Sequence, residues 1–413
     1  MLRSLVFLLA VATSSVYASF LPTNATLDAR AANALSFKWT SGQPLLQPKS
    51  DSRNLAALKD PSIIYYNGKY HVFASTAVEA GYNMMYTSFT DFNQAQSSSF
   101  YYLDQSGIGA GYRAAPQVFY MSTQKLWYLI YQDGNAAYST NSDINNPAGW
   151  SAPKHFWSSM PTIISQNIGS GYWVDMWVIC DSSNCYHFSS DDNGHLYRAQ
   201  TSVANFPNGF GNPVIALSAA KNDLFEASNV YKVGSQYLLI VECIGSAGKR
   251  YFRSWTSSSL AGSWTALHAT EADPFAGKNN VQFSGTAWTG DISHGEAVRS
   301  NVDQTMTLPD CGPQQYLYQG LPNGATGTYN SLPWKLALLT STTCTGGSTG
   351  GGGTVTTTST SPAPTGGGGT GCSQNNLDQI VSSMDTLSGR AESLTPDAHH
   401  MTLTEMRLFE HPD

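Results

Sequence analysis

Charge is what this sequence has least of. Of its 413 residues only 12% are Asp, Glu, Lys or Arg, and they balance to a mild acidic excess of −7. There is no basic patch or stripe, which excludes the electrostatic footprint of a nucleic-acid binder. CxxC pairs and Cys/His clusters are also absent, which excludes a zinc site. Beyond the first residues no apolar run approaches the roughly 20 residues of a membrane-spanning helix, so no membrane partner is expected. Helical periods are few. What is plentiful is Tyr, Trp, Gly and Ser, with aromatics at 12%. Such a chain is not disordered overall. Aromatic faces stack on sugar rings, so the composition leans toward neutral polymers such as carbohydrate.

The two ends differ from the middle. "MLRSLVFLLAVATSSVYA" has one basic residue, a short apolar run and a small-residue ending. It reads as a secretory signal peptide over residues 1–18 and predicts an extracellular location. Residues 19–35 form a short N-terminal segment carrying the sequon Asn24-Ala25-Thr26, an acceptor for a glycan. Residues 345–371, "TGGSTGGGGTVTTTSTSPAPTGGGGTG", have almost nothing to bury and read as a flexible, O-glycosylated linker. The tail, 372–413, has no Trp or Tyr, so it cannot present the flat aromatic face of a small cellulose-binding module. Leu377, Ile380, Val381, Met384 and Leu387 allow a short amphipathic helix there, though disorder is the default. The His399-His400 pair reads as solvated.

In a secreted chain six cysteines predict some disulfides. Cys180 and Cys185 close the short loop "CDSSNC". Cys243, inside an apolar run, reads as a buried free thiol, and Cys311, Cys344 and Cys372 cannot be paired from their spacing.

Residues 36–341 are one domain of short Tyr-, Val-, Ile-, Phe- and Trp-rich runs. They are separated by turns at Asn67-Gly68, Ser122-Thr123, Asp192-Asn193-Gly194 and Gly234-Ser235. These are β-hairpins, and the hairpins repeat. "KDPSIIYYNGKYHVFAS", "RAAPQVFYMSTQKLWYLIYQ", "WVDMWVICDSSNCYHFSS" and "FEASNVYKVGSQYLLIVE" each run from a polar or small head through two apolar strands to a final Ser, Gln or Glu. A looser fifth copy runs from "AWTGDISHGEAVRS" to "PQQYLYQG". Starts spaced by roughly 50–70 residues match the four-stranded blades of a propeller. The expected fold is therefore all-β, a five-bladed β-propeller. A two-sheet sandwich would explain the strands but not the repetition.

In a propeller the innermost strands start at the central channel, so the heads of the repeats converge there. Four heads carry Asp60, Asp175, Glu226 and His294. Carboxylates brought together raise the cost of ionising one another, and one of them tends to stay protonated. Hydrolysis of a glycosidic bond uses that asymmetry. Taken singly, each residue has a plainer role. Asp60 before Pro61 could be turn punctuation, Glu226 a solvated edge and His294 a core histidine. Asp175, between "YWV" and "MWVI", is harder to explain that way, because an unpaired carboxylate among aromatics is costly.

"LKDPSIIYYNGKYHVFAS", "GYRAAPQVFY", "LWYLIYQ", "AYSTNSDINNPAGWSAPKHF", "YWVDMWVICD", "LFEASNVYKV" and "DISHGEAVR" resemble glycoside hydrolase family 62 over residues 36–341. These are secreted α-L-arabinofuranosidases acting on arabinoxylan. The resemblance implies a five-bladed propeller and an inverting mechanism that needs no catalytic cofactor. In it Asp60 is the general base, Glu226 the general acid, and Asp175 the residue that tunes and orients the acid. It further implies that Lys59 and Tyr329 bind the sugar. Lys335 stands near an arginine of several members, and as Lys it loses the bidentate fork. His294 resembles a histidine beside a structural calcium in the channel, held largely through water. A monomer is expected, with arabinoxylan as partner. Members often carry a cysteine before the "FKWTSG"-like start, and this chain has none there, so Cys311 or Cys344 is expected to lack its partner. A related five-bladed β-xylosidase or arabinanase of family 43, or a non-catalytic polysaccharide-binding propeller, is the alternative.

Overall fold

The computed structural model describes residues 35–344. The expected signal peptide, the sequon, the expected linker and the tail with Cys372 lie outside the described residues. Five sheets follow one another around a ring. The first blade is Ala57–Tyr66, Lys69–Val78, Gly81–Phe89 and Tyr101–Tyr102. The second is Ala114–Met121, Leu126–Gln132, Ala136–Asn141 and Lys154–His155. The third is Val174–Cys180, Asn184–Ser190, His195–Ser202 and Val214–Ser218. The fourth runs Glu226–Val233, Gln236–Ile244, Arg250–Ser257 and Thr265–Ala266, with Thr307–Leu308 added in parallel on its inner edge. The fifth starts with Ser293–Ala297, Gln315–Gly320 and Lys335–Ser341. It is completed by the N-terminal strand Trp39–Ser41, antiparallel to Lys335–Ser341 and parallel to Val281–Phe283. The five-bladed propeller expected from the repeats is the fold. The four-stranded pattern is exceeded in the fourth and fifth blades, each of which gains an extra strand.

Burial explains why the repeats read as apolar runs and not as alternation. Inner strands are covered on both faces by neighbouring blades, and all of Val174–Cys180 is buried. The outermost strand of the same blade, Val214–Ser218, is largely exposed.

Each inner strand enters its sheet through the same irregularity. The four-residue heads are Lys59-Asp60-Pro61-Ser62, Ala114-Ala115-Pro116-Gln117, Val174-Asp175-Met176-Trp177, Glu226-Ala227-Ser228-Asn229 and Ser293-His294-Gly295-Glu296. In all five the ladder to the second strand slips by one residue, a β-bulge. The second head residue is left-handed in four of them, at φ of 48° for Asp60, 53° for Ala115, 58° for Asp175 and 54° for Ala227. That conformation costs a non-glycine residue about 1–2 kcal/mol, and two of the four are alanines. The strain therefore belongs to the fold, and the carboxylates are placed upon it.

The fourth head position ties blade to blade. Ser62 Oγ accepts from Val118 N of the second blade at 2.9 Å. Gln117 accepts from Val178 N at 2.7 Å and donates to its carbonyl at 2.8 Å in the third. Trp177 Nε1 donates to Val230 O of the fourth at 3.0 Å. Tyr316 of the fifth donates to Asn229 Oδ1 at 2.9 Å, and Ser62 donates to Glu296 to complete the circle.

Cys180 and Cys185 form a disulfide across the hairpin, as their spacing predicts, and Cys243 is a buried free thiol. Cys311 and Cys344 are bonded to each other, which corrects the expectation that one of them lacks a partner. The backbone bond from Thr342 N to Lys38 O and the Thr343 hydroxyl on Ser36 O steer the last strand's exit to the 311 turn. No cysteine ahead of Phe37 is needed for the pairing.

Candidate active site

The heads of the first, third, fourth and fifth blades bring Asp60, Asp175, Glu226 and His294 to one end of the channel. Asp60 and Asp175 hold the left-handed position of the bulge. Glu226 stands one residue earlier, where the first blade has Lys59. His294 Nδ1 lies 3.4 Å from Asp60 Oδ1 and 3.6 Å from Asp175 Oδ1. Asp60, Asp175, His294 and Lys59 are buried, while the Glu226 side chain keeps 20% exposure.

The bulges leave five backbone N–H groups that the sheet does not use. In four blades the N–H is capped by the second-strand side chain that faces the first head residue of the preceding blade. Asp60 N donates to Gln319 Oε1 at 2.7 Å, Ala115 N to Ser75 Oγ at 2.8 Å, Asp175 N to Gln132 Oε1 at 2.8 Å, and His294 N to Glu242 Oε2 at 2.6 Å. By the same rule Ala227 N should meet Ser190, which faces Val174. Instead it donates to Asp175 Oδ2 at 2.6 Å. The one departure from the fivefold pattern thus fastens a carboxylate to the peptide next to Glu226.

Burial, with Glu226 and Asp60 nearby, pushes the Asp175 carboxyl well above the usual range. Burial opposes the Lys59 ammonium, yet Tyr329, Asp60, Tyr82 and Glu226 around it raise its pKa well above normal. Lys59 Nζ donates to Tyr329 Oη at 3.2 Å and to Tyr82 Oη at 3.4 Å, and its charge lies over the rings of Tyr329 at 4.5 Å and Trp334 at 5.9 Å. Burial lifts the Tyr329 hydroxyl to about 12, keeping it a neutral donor. Tyr112 marks the rim, edge-on to Tyr82 at 6.1 Å, with its hydroxyl bonded to Gln132 Nε2 at 2.6 Å. Lys335 opens its strand opposite Gly320, and its ammonium makes no hydrogen bond or ion pair among the described residues.

The cation that does face the carboxylates is Arg250, which the sequence reading missed. Its Nη1 lies 2.8 Å from both Glu226 Oε1 and Glu242 Oε1, and its guanidinium sits 4.6 Å from the Phe225 ring. Burial opposes its charge, and Glu242 and Glu226 more than offset this. Burial raises Glu242 itself to about 7, against the pull of Arg250. Glu242 was visible as the last residue of the fourth repeat, but nothing in the sequence ties Arg250, across the next turn, to it. Asp192, read only as a turn residue, is buried, and burial first, then Glu226 and Asp175, push its carboxyl well above the usual range.

Calcium asks for six to eight oxygen ligands. Below the carboxylates the channel narrows to a small cavity lined in part by Gln117, Ser228, Asn229, His294 and Glu296. Gln117, Asn229 and Glu296 already spend their side chains on the interblade circle and on Arg299. Ser228 Oγ is buried without a partner. Among the described residues no group of three or more His, Cys, Asp or Glu is arranged to hold a metal. These donors fit a hydrated ion beside one hydroxyl and one imidazole, not an ion caged by protein.

Comparison with known proteins gives this geometry a context. An α-L-arabinofuranosidase C of Cellvibrio japonicus is 45% identical over 307 residues, 73% of this chain. Those residues span 46% of that longer relative's own length. The catalytic domain of an α-L-arabinofuranosidase from Coprinopsis cinerea is 64% identical, with a TM-score of 0.73, over 74% of this chain and 98% of its own. An α-L-arabinofuranosidase of Podospora anserina, solved with cellotriose, is 55% identical over 75% and 98%, with a TM-score of 0.73. A hydrolase of the same family solved with xylotriose has the same identity, coverage and TM-score. The sequence profile of glycosyl hydrolase family 62 matches residues 38–340, nearly the whole propeller, and the chain belongs to that family.

Proposed function

We propose that this chain is a secreted α-L-arabinofuranosidase that removes arabinofuranosyl side groups from arabinoxylan in one inverting displacement, acting as a monomer. The observation that carries the reading is the departure from fivefold capping at Ala227. Three carboxyl groups from three blades meet beside Lys59, and Asp175 is bonded to the peptide that follows Glu226. The xylotriose bound to a relative favours xylan as the backbone.

In this reading Asp60 takes a proton from the attacking water while Glu226 gives one to the departing xylose oxygen. The base and acid of an inverting pair stand roughly 6.5–9.5 Å apart, with the water between base and sugar. Asp175 orients the Glu226 strand through its bond to Ala227 N and, as a neighbouring carboxyl, favours the protonated acid. Lys59 and the Tyr329 hydroxyl present donors to the arabinose hydroxyls, with Lys335 further out. A structural calcium belongs to the same reading. It would face Ser228 Oγ and His294, with water completing its shell, and would brace the inner strands without entering the reaction.

Glu226→Gln keeps the shape and removes the proton. Arabinose release from arabinoxylan is expected to fall by about 10²–10⁴-fold, and unchanged release would overturn the assignment of Glu226. Release of xylose, or of arabinose only from linear arabinan, would favour the family 43 type of activity instead. NMR of the first anomer formed tests inversion separately.

A further inference from the structure

Tyr329 reaches the pocket on a loop. Residues 321–334 join Gln315–Gly320 to Lys335–Ser341 in the fifth blade and cross to the first, where Tyr329 Oη accepts from Lys59 Nζ at 3.2 Å. The loop is fixed near both ends. Pro322 pairs with Thr289, Asn323 N donates to Trp288 O at 2.9 Å, and Leu58 N donates to Trp334 O at 3.1 Å. Between these points the chain passes through Gly324 and Gly327, at φ of 78° and 150°, where the backbone is free to take other paths.

A hairpin tip of the first blade holds the middle. Glu79 and Ala80 turn the chain between Lys69–Val78 and Gly81–Phe89, with Val78 paired to Gly81. Oε2 of Glu79 accepts from the Thr328 hydroxyl at 2.7 Å and also from the Ser331 hydroxyl. The Glu79 carbonyl accepts from Asn330 Nδ2 at 3.3 Å. These donors flank Tyr329 on both sides, within and just before the single 3-10 turn Tyr329–Ser331. The Ser331 hydroxyl, then the Thr328 hydroxyl, hold the Glu79 carboxyl below its usual range, as bonds to an anion do. Beneath the clasp lies an apolar seat, where Ala57, Ala77 and Trp334 are buried and Tyr82, Leu321 and Leu332 pack against them.

We propose that Glu79 is a positioning residue for the reaction, clasping the fifth-blade loop to the first blade so that the Tyr329 hydroxyl meets both Lys59 and the sugar. This rests on Tyr329 binding the arabinose. Exposed turn residues change overall stability little, so three donors drawn onto one such residue act locally, on the segment that carries them. Lys59 Nζ bonds to the Tyr329 hydroxyl and lies 4.5 Å from its ring. A loop displaced by about an ångström would weaken both contacts, and misplacement on that scale costs a site up to about 10²-fold. The clasp spans two blades that are neighbours only in the closed ring, so it also makes the pocket's sugar-facing wall depend on that closure.

Glu79→Ala tests this by kinetics on arabinoxylan. Its kcat/KM is expected to fall by about tenfold or more, with the thermal unfolding midpoint near that of wild type. Glu79→Gln keeps an acceptor oxygen for the two hydroxyls and is expected to recover most of the loss. A merely structural residue lowers activity by the same factor whatever stands at position 329, and a residue that works through the Tyr329 hydroxyl does not. In a Tyr329→Phe background Glu79→Ala is therefore expected to cost less than about twofold. Equal factors in the two backgrounds overturn the inference, and so does a Gln variant as weak as the Ala variant. Should Glu79→Ala unfold early, Thr328→Val combined with Ser331→Ala removes the same bonds from the loop side. It is expected to show the same dependence on Tyr329, and equal factors there overturn the inference too. Tyr329→Phe alone separates the two claims. If it cleaves arabinoxylan at the wild-type rate, the sugar-binding role of Tyr329 falls and this inference with it. If it is impaired while Glu79→Ala is not, only the role of Glu79 falls.

Discussion

In the second blade the inner strand reaches the channel with Ala115, and in the third with Asp175, at φ of 53° and 58°. Both bulges hand their N–H to the blade before, Ala115 to Ser75 and Asp175 to Gln132, each at 2.8 Å. Both tie the fourth head residue to the blade after, through Gln117 and Trp177. The backbone device is shared, and only one of the two copies carries a carboxylate. The bulge therefore serves the ring first, by letting a buried strand turn onto the axis with its polar groups paired. A carboxylate at that position comes to the axis with its neighbours already fixed. The blades differ again one strand further out. His187 of the third blade and Leu129 of the second occupy the same register, opposite Val178 and Val118.

Making the third blade resemble the second should remove the chemistry and spare the ring. Asp175→Ala is expected to lower arabinose release from arabinoxylan by about 10²-fold or more, with circular dichroism unchanged. Retained activity would dissolve the distinction between the two blades. A smaller effect is expected at His187, whose Nε2 is buried without a partner among Phe156, Trp157 and Phe210. Burial lowers its pKa from 6.5 to about 3, so below pH 6.5 the unfolded chain binds a proton there that the folded chain does not. Its contribution is intact above pH 6.5 and shrinks as pH falls, by about 2 kcal/mol at pH 5. His187→Leu, copying the second blade, should lessen the loss of stability between pH 7 and 5 by that amount in urea unfolding. The smallest effect lies at Ala115. Ala115→Gly relieves the left-handed strain at some entropic cost, for a net gain of about 0.5–1 kcal/mol. Arabinose release should stay at the wild-type rate, and a loss would show that this head, too, takes part in the reaction.

The ring itself was legible because its parts are local. Two apolar strands, a turn and a polar head recur five times, and each copy declares its own hairpin. Even the Ser, Gln or Glu at the end of each repeat was visible, although its role as a cap on the next blade's bulge was not. That role depends on which blade stands beside which. Asp60, Asp175 and Glu226 could be found because they head repeats. Arg250 could not, since it opens the third strand of the same blade, two strands out, and reaches Glu226 only once that sheet is formed; Asp192 comes from a turn of the third blade and nears Glu226 only when the blades are stacked. The one-residue offset between Glu226 and the two aspartates is likewise a matter of bulge register. The pairing of Cys311 with Cys344 depended on where the last strand leaves the ring, which spacing does not encode.

That exit carries a consequence for how the molecule comes into being. Trp39–Ser41 is the fourth strand of the fifth blade, yet it is among the first parts of the propeller to leave the ribosome, and its partner, Lys335–Ser341, is the last. No shorter stretch starting at the same residue can close the circle. Until the final strand emerges, the early segment must wait unpaired while four blades form behind it. The two ends of the ring then meet at one latch, held by Thr342, Thr343 and the Cys311–Cys344 bond. Joining those ends and opening the chain in an exposed turn would give a permuted protein whose blades assemble in order, with no strand left waiting.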